Sequence, residues 1–258
     1  MNMIKSKRNS KAAGSGRKLL IGYFLAGYPD RKSFLRILKN AEKAGIDIFE
    51  IGVPSGDPFD DGDVIRKAHR ATDQTIRSDP GYWREIRNAV DGAVWMMGYK
   101  EDILSGNIWR DAARERVIDA LMIPDMNIGE RLAMSDEIGN DETDVIGSVG
   151  PSTGMAEQIQ CYQNFPLVYQ RLYDGPTGMT VETDHFEEIL KQGHSSGRNR
   201  IFAGFGISTP ERVKFLTEKG FDGVIIGTAM LKKLNDSEDE LYRFISDLRN
   251  ACDGGSTK

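Results

Sequence analysis

A single carboxylate interrupts one of the most apolar runs of the chain. The segment IDIFEIGV, residues 46–53, is typical of a β-strand, and strand alternation places Glu50 on the same face as Ile46 and Ile48. If that face is buried, loss of hydration raises the pKa of Glu50, so that it can give and take a proton near neutral pH. The alternative is that Glu50 faces a helix and pairs there with an arginine or a lysine.

Four more acids follow this strand: Asp57, Asp60, Asp61 and Asp63. Two prolines and two glycines shape the same loop, so turns set its backbone. The cluster could bind a divalent cation, but it lacks EF-hand spacing, and clustered loop acids are usually solvated or cap helices. Asp63, directly before VIRKAHRA, is predicted to be a helix N-cap.

Glycines mark a second kind of chemistry. AGFGIS (203–208) ends a predicted strand just before a helix start at Thr209, and IIGTAM (225–230) ends another. Glycine lets a ligand approach backbone N–H groups, and a helix N-terminus adds unpaired donors, so the two stretches predict a phosphate site. DGPTG (174–178) would form a third wall. The alternative is that these glycines only make turns.

Regularly alternating elements must position these residues. Strands are predicted near 19–27, 46–53, 92–99, 119–125, 144–150, 167–173, 200–207 and 221–228, with helices between them, such as 33–45. Strands that are apolar on both faces and separated by helices indicate a parallel sheet, and eight such units predict a single-domain (β/α)8 TIM barrel. An open doubly wound sheet is the alternative, but no GxGxxG follows the first strand.

The barrel would bring the chemistry together, because in this fold functional residues lie at the C-terminal ends of the strands. Glu50, the aspartate loop and the glycine stretches all fall at predicted strand ends.

Composition restricts the class of protein. The 258 residues are 39% hydrophobic and contain no apolar run of the ~20 residues that a membrane span needs. Two cysteines, Cys161 and Cys252, are too few for a disulfide framework, and three scattered histidines make a zinc site improbable. We therefore expect a protein of the reducing cytoplasm.

The charge is unevenly distributed. The first 18 residues carry six basic side chains and no acid, so the rest of the chain has a net charge of −11 against −5 for the whole. An acidic body argues against nucleic acid as the main partner. Residues 1–18 lack the apolar core of a secretory signal and are predicted to be a basic disordered tail, with a transit peptide or an anion-binding arm as alternatives. Residues 19–252 form the predicted catalytic barrel, and 253–258 a disordered C-terminus.

Several motifs together resemble a known family. They are LAGYPD (25–30), FEIGVPSGDPFDDG (49–62), PD (124–125), GPTG (175–178), GFGIST (204–209) and DGVIIGTAM (222–230). In this order they are similar to the tryptophan synthase α subunit, or indole-3-glycerol-phosphate lyase, over about residues 19–250. The resemblance implies a lyase of tryptophan biosynthesis built on a barrel.

Roles for individual residues follow from this resemblance. Glu50 would move a proton between the substrate's side-chain hydroxyl and indole C3, and Asp61 would hold the indole N–H. The implied reaction is a retro-aldol cleavage without cofactor or metal. The phosphate would lie on backbone donors around Thr177, Gly178, Gly206, Gly227 and Thr228, and the indole ring in a pocket formed by Tyr23, Met96, Met122, Tyr169 and Phe205. The bulky pocket residues could equally be plain barrel core.

The chain also departs from the family pattern. The family's PFSDP is PSGDP at 54–58, and its ADGP is Asp60-Asp61-Gly62-Asp63, which leaves two candidate aspartates. The motif Tyr-x-Asn-Pro is missing, with Gly98, Lys100 and Glu101 near those positions. Tyr173 replaces an arginine, and PDLPxEE has become PDMNIGE. These changes indicate that the chemistry is kept while loop closure and partner coupling are altered.

Three functions remain open from the sequence. The first is a lyase acting on indole-3-glycerol phosphate, either alone or with a tryptophan synthase β-type subunit. The second is a relative in specialised metabolism that acts on an analogue of this substrate. The third is a weakened barrel that serves as the activating partner of a β-type subunit. Retention of Glu50 and Asp61 favours an enzyme.

Overall fold

The computed structural model describes residues 3–139, 141–178, 186–197 and 199–254. All its strands are parallel neighbours in one sheet, with the order β5-β4-β3-β2-β1-β9-β8-β7-β6. The strands are β1 (Leu19–Leu25), β2 (Ile48–Gly52), β3 (Ala93–Met97), β4 (Ala120–Met122), β5 (Asp144–Val145), β6 (Gly147–Val149), β7 (Leu167–Arg171), β8 (Arg200–Gly204) and β9 (Gly223–Ile226).

The sheet closes through one interrupted strand. β5 pairs with β4 and β6 pairs with β7, and only Ile146 separates β5 from β6. The N–H of Ile146 still donates to the carbonyl of Leu121 over 2.9 Å, so residues 144–149 act as a single barrel strand. The resulting eight barrel strands confirm the predicted (β/α)8 barrel. Each of the eight predicted strand ranges includes an observed strand.

Helices surround the sheet. They are α1 (Lys7–Ala13), α2 (Arg31–Ala44), α3 (Asp63–Ala71), α4 (Pro80–Ala89), α5 (Lys100–Leu104), α6 (Ile108–Arg114), α7 (Ile128–Ile138), α8 (Met155–Asn164), α9 (Phe186–Ser196), α10 (Pro210–Glu218), α11 (Thr228–Asp236) and α12 (Glu238–Cys252), with a 3-10 helix at Gln74–Ser78. Within the described ranges, no helix has the length and apolar character that crossing a membrane requires.

Two apolar cores result from strand alternation. Outward-facing strand residues pack against the helices, as with Phe34, Ile37, Leu38 and Ala41 of α2, whose helical spacing predicted this buried face. Inward-facing residues fill the barrel, where Trp95 of β3 packs against Phe202 of β8 with ring centroids 5.8 Å apart. The inner core supports the floor of the site described below.

The N-terminal segment differs from its predicted disorder. Helix α1 lies against the barrel near the N-terminal ends of the strands, and its Asn9 is only 1% exposed. The Asn9 amide donates to Asp144 Oδ2 (2.9 Å) and accepts from the indole N–H of Trp95 (2.8 Å). The prediction weighed only the basic residues, whereas a buried serine and asparagine, Ser6 and Asn9, anchor the segment. Residues 255–258 of the predicted disordered C-terminus lie outside the described ranges.

Candidate active site

A cavity of about 180 Å³ opens at the C-terminal end of the barrel. It lies where the loops after several strands converge, as the fold predicts. Its walls include Tyr23, Glu50, Asp60, Asp61, Met97, Tyr99, Met122, Ser148, Tyr169, Arg171, Thr177, Gly178, Phe205, Gly206, Ser208, Gly227, Thr228 and Lys232.

Glu50 points into the barrel, as one of the two sequence interpretations required. It is 3% exposed, follows the inner-core residue Ile48 by two positions, and pairs in register with Tyr23 on β1 and Trp95 on β3. Its Oε1 has no hydrogen-bond partner within the described part of the chain. Burial, and secondarily the charge of Asp61, raises the pKa of Glu50 to about 8. Glu50 is therefore a protonated acid near neutral pH.

Of the four loop aspartates, only Asp61 is buried. Its Oδ2 accepts a 2.8 Å hydrogen bond from the hydroxyl of Tyr99, and its Oδ1 accepts one of 3.2 Å from Thr177 Oγ1. Burial raises the pKa of Asp61, and these two hydrogen bonds act against the rise. Burial thus distinguishes Asp61 from the exposed Asp60.

The remaining aspartates behave as surface residues. Asp57 and Asp63 are exposed, and the prediction that Asp63 caps a helix is wrong by one position. Helix α3 begins at Asp63 itself, with Gly62 at the N-cap and no side-chain cap bond. Among the described residues, no group of His, Cys, Asp and Glu side chains is arranged to hold a metal ion.

His69 of α3 contacts the loop that carries Asp61, a role that the sequence analysis missed. Its Nδ1 accepts a 2.9 Å hydrogen bond from the backbone N–H of Ser55, so the ring proton is on Nε2. Nε2 lies 3.9 Å from Asp61 Oδ2 and 3.5 Å from the hydroxyl of Tyr23. Burial lowers the pKa of His69 to about 4, so the ring is neutral.

Thr177 joins the aspartate loop to the loop after β7. Its hydroxyl accepts from the N–H of Gly62 (2.9 Å) while it donates to Asp61, and its own N–H donates to the carbonyl of Asp60 (3.2 Å). A Cβ at position 62 would lie 2.2 Å from the Thr177 carbonyl oxygen. Gly62 is therefore required for this close contact.

An aromatic wall faces the carboxylates. Phe205 packs edge-on against Tyr169 (centroids 6.0 Å apart) and Tyr173 (5.6 Å). It adopts a left-handed backbone conformation, φ 72°, which costs a non-glycine residue on the order of 1 kcal/mol. Tyr173, where the family has an arginine, is buried and donates to the carbonyl of Pro176 over 3.1 Å.

The predicted phosphate residues also converge on the cavity. Gly178 (φ 88°) and Gly206 (φ 71°) both need the left-handed conformation that glycine tolerates. Gly227 precedes α11, whose first residue is Thr228, and no side chain caps that helix end in the described structure. Lys232 and Ser208, which the sequence analysis did not identify, line the same side.

Nine of the ten predicted substrate-binding residues border the cavity, and Met96 does not. Met96 lies in the outer core between the sheet and the helices, while Met97 lines the cavity. The prediction assigned the wrong face of β3, because inward-facing Trp95 places Met97, two residues on, toward the site. The same alternation would have identified Tyr99, which lies between the residues named for the missing Tyr-x-Asn-Pro motif.

Comparison with known proteins agrees with this geometry. The tryptophan synthase alpha chain family model matches residues 9–255. The tryptophan synthase alpha chain of Thermoanaerobacter sp. (strain X514) is 32% identical, with 96% of this chain and 99% of that protein aligned. The tryptophan synthase alpha chain of Prochlorococcus marinus (strain MIT 9313) is 28% identical, with 96% of this chain and 94% of that protein aligned.

A solved structure of Mycobacterium tuberculosis tryptophan synthase has the same fold, with a TM-score of 0.82 at 23% identity over 96% of this chain and 99% of that one. The extent of the family match and the 32% identity to a relative of nearly equal length lead to one conclusion. This chain belongs to the tryptophan synthase alpha chain family.

Proposed function

We propose that the protein cleaves indole-3-glycerol phosphate to indole and glyceraldehyde 3-phosphate, the carbon–carbon lyase reaction of its family. The observation that carries the proposal is the buried Glu50, whose pKa burial raises to about 8, beside the buried Asp61. A structural protein gains nothing from an unpartnered acid in its core, since such a group only costs stability. An enzyme that protonates carbon needs one.

The first step uses Glu50 as a general acid. Its proton passes to indole C3, and the aromatic five-membered ring becomes a cationic indolenine. Asp61 accepts the hydrogen bond of the ring N–H and stabilises the positive charge that develops there. The hydrogen bonds from Tyr99 and Thr177 favour the ionised form of Asp61 against the effect of burial, and they orient the carboxylate for this role.

The second step uses the Glu50 carboxylate as a base. It removes the proton from the side-chain hydroxyl next to C3, the hydroxyl carbon becomes an aldehyde, and the bond between that carbon and C3 breaks. The bonding electrons return to the ring and restore indole. Glu50 ends the cycle protonated, so one residue serves both steps without cofactor or metal.

The phosphate would lie across the barrel mouth on N–H groups near Gly178, Gly206, Gly227 and Thr228. Support comes from the left-handed Gly178 and Gly206 and from the N-terminus of α11, where Gly227 and Thr228 line the cavity and no side-chain cap is described. Lys232 adds a positive charge on the same side. Binding at this non-reacting end would fix C3 against Glu50.

The test is turnover by the purified chain alone. Wild type incubated with indole-3-glycerol phosphate should release indole and glyceraldehyde 3-phosphate in equal amounts, and Glu50→Gln should not. Absence of both products, with and without an added β-type subunit, would reject the lyase proposal. Release of both products only with the β-type subunit would indicate a lyase that depends on its partner, whereas absence of both products together with faster turnover of the β-type subunit would favour the activating-partner function.

A β-type subunit is the proposed protein partner, and the cytoplasm the proposed location. The loop that carries Asp61 also presents Phe59, which is 48% exposed and stacks on Tyr99 with centroids 4.5 Å apart. Phe59 is exposed and contacts Tyr99, which donates a hydrogen bond to Asp61. Another subunit that covered Phe59 would therefore act on the proposed catalytic acid. The buried free thiols of Cys161 and Cys252 are compatible with a reducing compartment.

A further inference from the structure

An arginine lines the part of the cavity that the proposed reaction does not use. Arg171 is the last residue of β7 and follows the inward-facing Tyr169 by two positions. Its Nε is buried and has no hydrogen-bond partner in the described ranges. Among the described residues it forms one ion pair, with the half-exposed Asp174 over 3.4 Å, and such partly exposed pairs contribute little. The guanidinium therefore keeps donors for a ligand.

Neighbouring residues leave room for this side chain. A Cβ at Gly150, at the end of β6, would lie 3.1 Å from Arg171 Nε and 3.3 Å from its Cζ. The absence of a side chain there lets the guanidinium lie flat on the backbone. Ser148 follows the inner-core Ile146 by two positions and adds a hydroxyl to the same wall.

A second buried arginine lies close enough to this wall to interact with Arg171. Arg131 of α7 is 2% exposed, and its guanidinium donates to the carbonyls of Ile146 (3.1 Å) and Pro124 (3.2 Å). Burial lowers the pKa of Arg131 to about 10, and repulsion from the positive charge of Arg171 acts in the same direction, against the charges of Asp125 and Glu130. A bound anion next to Arg171 would relieve this repulsion.

The wall also lies opposite the catalytic acids. If β5 and β6 are counted as one strand, the barrel has eight strands. β7 is then four strands from β2, which carries Glu50, and lies on the opposite side of the barrel. If Glu50 and Asp61 engage C3 and N1, both on the five-membered ring, the six-membered ring extends away from them. Met97 of β3, Met122 of β4, Ser148 of β6 and Arg171 of β7 line the cavity in that order around the barrel from β2.

We infer that the cavity is adapted to an indole glycerol phosphate whose six-membered ring carries an acidic substituent, a carboxylate bound by Arg171. An unsubstituted ring would remove water from the guanidinium and offer it no acceptor, which is unfavourable. A carboxylate would pair with it through two parallel N–H bonds. This inference rests on the proposed function, because it uses the ring orientation that Glu50 and Asp61 impose.

Equilibrium binding tests it without turnover. Indole and its 4-, 5-, 6- and 7-carboxylates are titrated calorimetrically into wild type, Arg171→Leu, Arg171→Gln and Arg171→Lys. We expect wild type to bind at least one carboxylate about tenfold tighter than indole, and the Leu and Gln variants to lose that preference. Arg171→Lys should keep part of it. Arg70→Leu, which removes a charge from the exposed side of α3, is the matched control and should behave as wild type.

Two results would overturn the inference: indole binding more tightly than every carboxylate in wild type, or a carboxylate preference that survives in both Arg171→Leu and Arg171→Gln. Turnover separates this inference from the proposed function. If wild type cleaves the plain substrate and Arg171→Leu slows it as much as the carboxylated one, Arg171 serves the common part of the substrate and the inference fails alone. If neither substrate is cleaved under any condition, the lyase proposal fails.

Discussion

The hydroxyl of Tyr99 lies 2.8 Å from Oδ2 of Asp61 and donates to it. Burial favours the protonated form of Asp61. Two hydrogen bonds favour the ionised form, and the one from Tyr99 lowers the pKa more than the one from Thr177 does. The Asp61 carboxylate, which is proposed to support the indole N–H, thus depends on Tyr99 in the loop after β3.

Tyr99→Phe should raise the pKa of Asp61 further, because a hydrogen bond that favours the ionised form is lost. We expect kcat/KM at pH 7 to fall by about tenfold, as loss of one hydrogen bond to a charged group would predict. Because the defect lies in ionisation, the ratio of variant to wild type should improve as pH rises from 6 to 8. A pH-independent ratio would contradict this explanation.

The two buried carboxylates should be essential. Glu50→Gln keeps the shape of the side chain but carries no proton to C3, so kcat should fall by about 10²–10⁴-fold with ligand affinity nearly unchanged. Asp61→Asn should also reduce kcat strongly. Asp60→Asn is the control, because Asp60 is exposed. Indole release measured for all three decides the assignment, and a larger loss in Asp60→Asn than in Asp61→Asn would reverse it.

Glu50 should make the protein less stable in alkaline solution. Its pKa is raised to about 8 in the folded state, above the usual value of 4.5, so the fold is more stable with Glu50 protonated than with Glu50 ionised. That stabilisation is complete below the unfolded pKa and is lost as pH rises through about 8. Urea unfolding of Glu50→Gln should match wild type near pH 4.5 and exceed it at pH 9 by on the order of a few kcal/mol. Equal stability at pH 9 would argue against a buried Glu50.

A carboxylate at the phosphate site should expel the phosphate. Gly227→Asp places negative charge where the substrate anion would lie, so affinity for glycerol 3-phosphate should fall by at least about tenfold. Gly227→Ala is the control for size, since a Cβ there lies 3.3 Å from Tyr23 Cβ. Gly206→Asp tests the neighbouring wall, with added backbone strain. Unchanged affinity in both Asp variants would remove the site.

The N-terminal helix should contribute to stability. Asn9→Leu leaves the indole N–H of Trp95 without its acceptor and takes a donor from Asp144. We expect a loss of about 2–4 kcal/mol in the free energy of unfolding, because the buried indole N–H loses its acceptor and the buried Asp144 loses one of its hydrogen bonds. Lys11→Ala, on the exposed face of α1, should change it by less than about 0.5 kcal/mol.

The order of the strands and the buried Glu50 could be predicted because both follow from local patterns. Alternation along Ile48 and Glu50 identifies one face, and the inner-core position of Ile48 makes that face the barrel interior, whereas Ile46 precedes β2 and packs in the outer core. The same reasoning failed at Met96, because β3 is apolar on both faces and only the packing of Trp95 shows which one turns inward.

Contacts between distant segments could not be predicted. His69 is 14 residues from Ser55, and the helix that places it under Asp61 gives no local signal of that contact. Arg171 and Gly150 meet only because β6 and β7 are neighbours. The anchoring of α1 depends in the same way on side chains more than a hundred residues away.

Thr177 and Gly178 are adjacent in the chain, yet the first bonds Asp61, the proposed support of the indole N–H, and the second borders the proposed phosphate site. A substrate whose phosphate pulls Gly178 inward would draw the Thr177 hydroxyl against Asp61 and the Gly62 amide in the same movement. Recognition of the inert end of the substrate and readiness of the reactive end would then be one event. A fragment lacking the phosphate should consequently react slowly even at saturating concentration, because nothing would hold the acid loop in place.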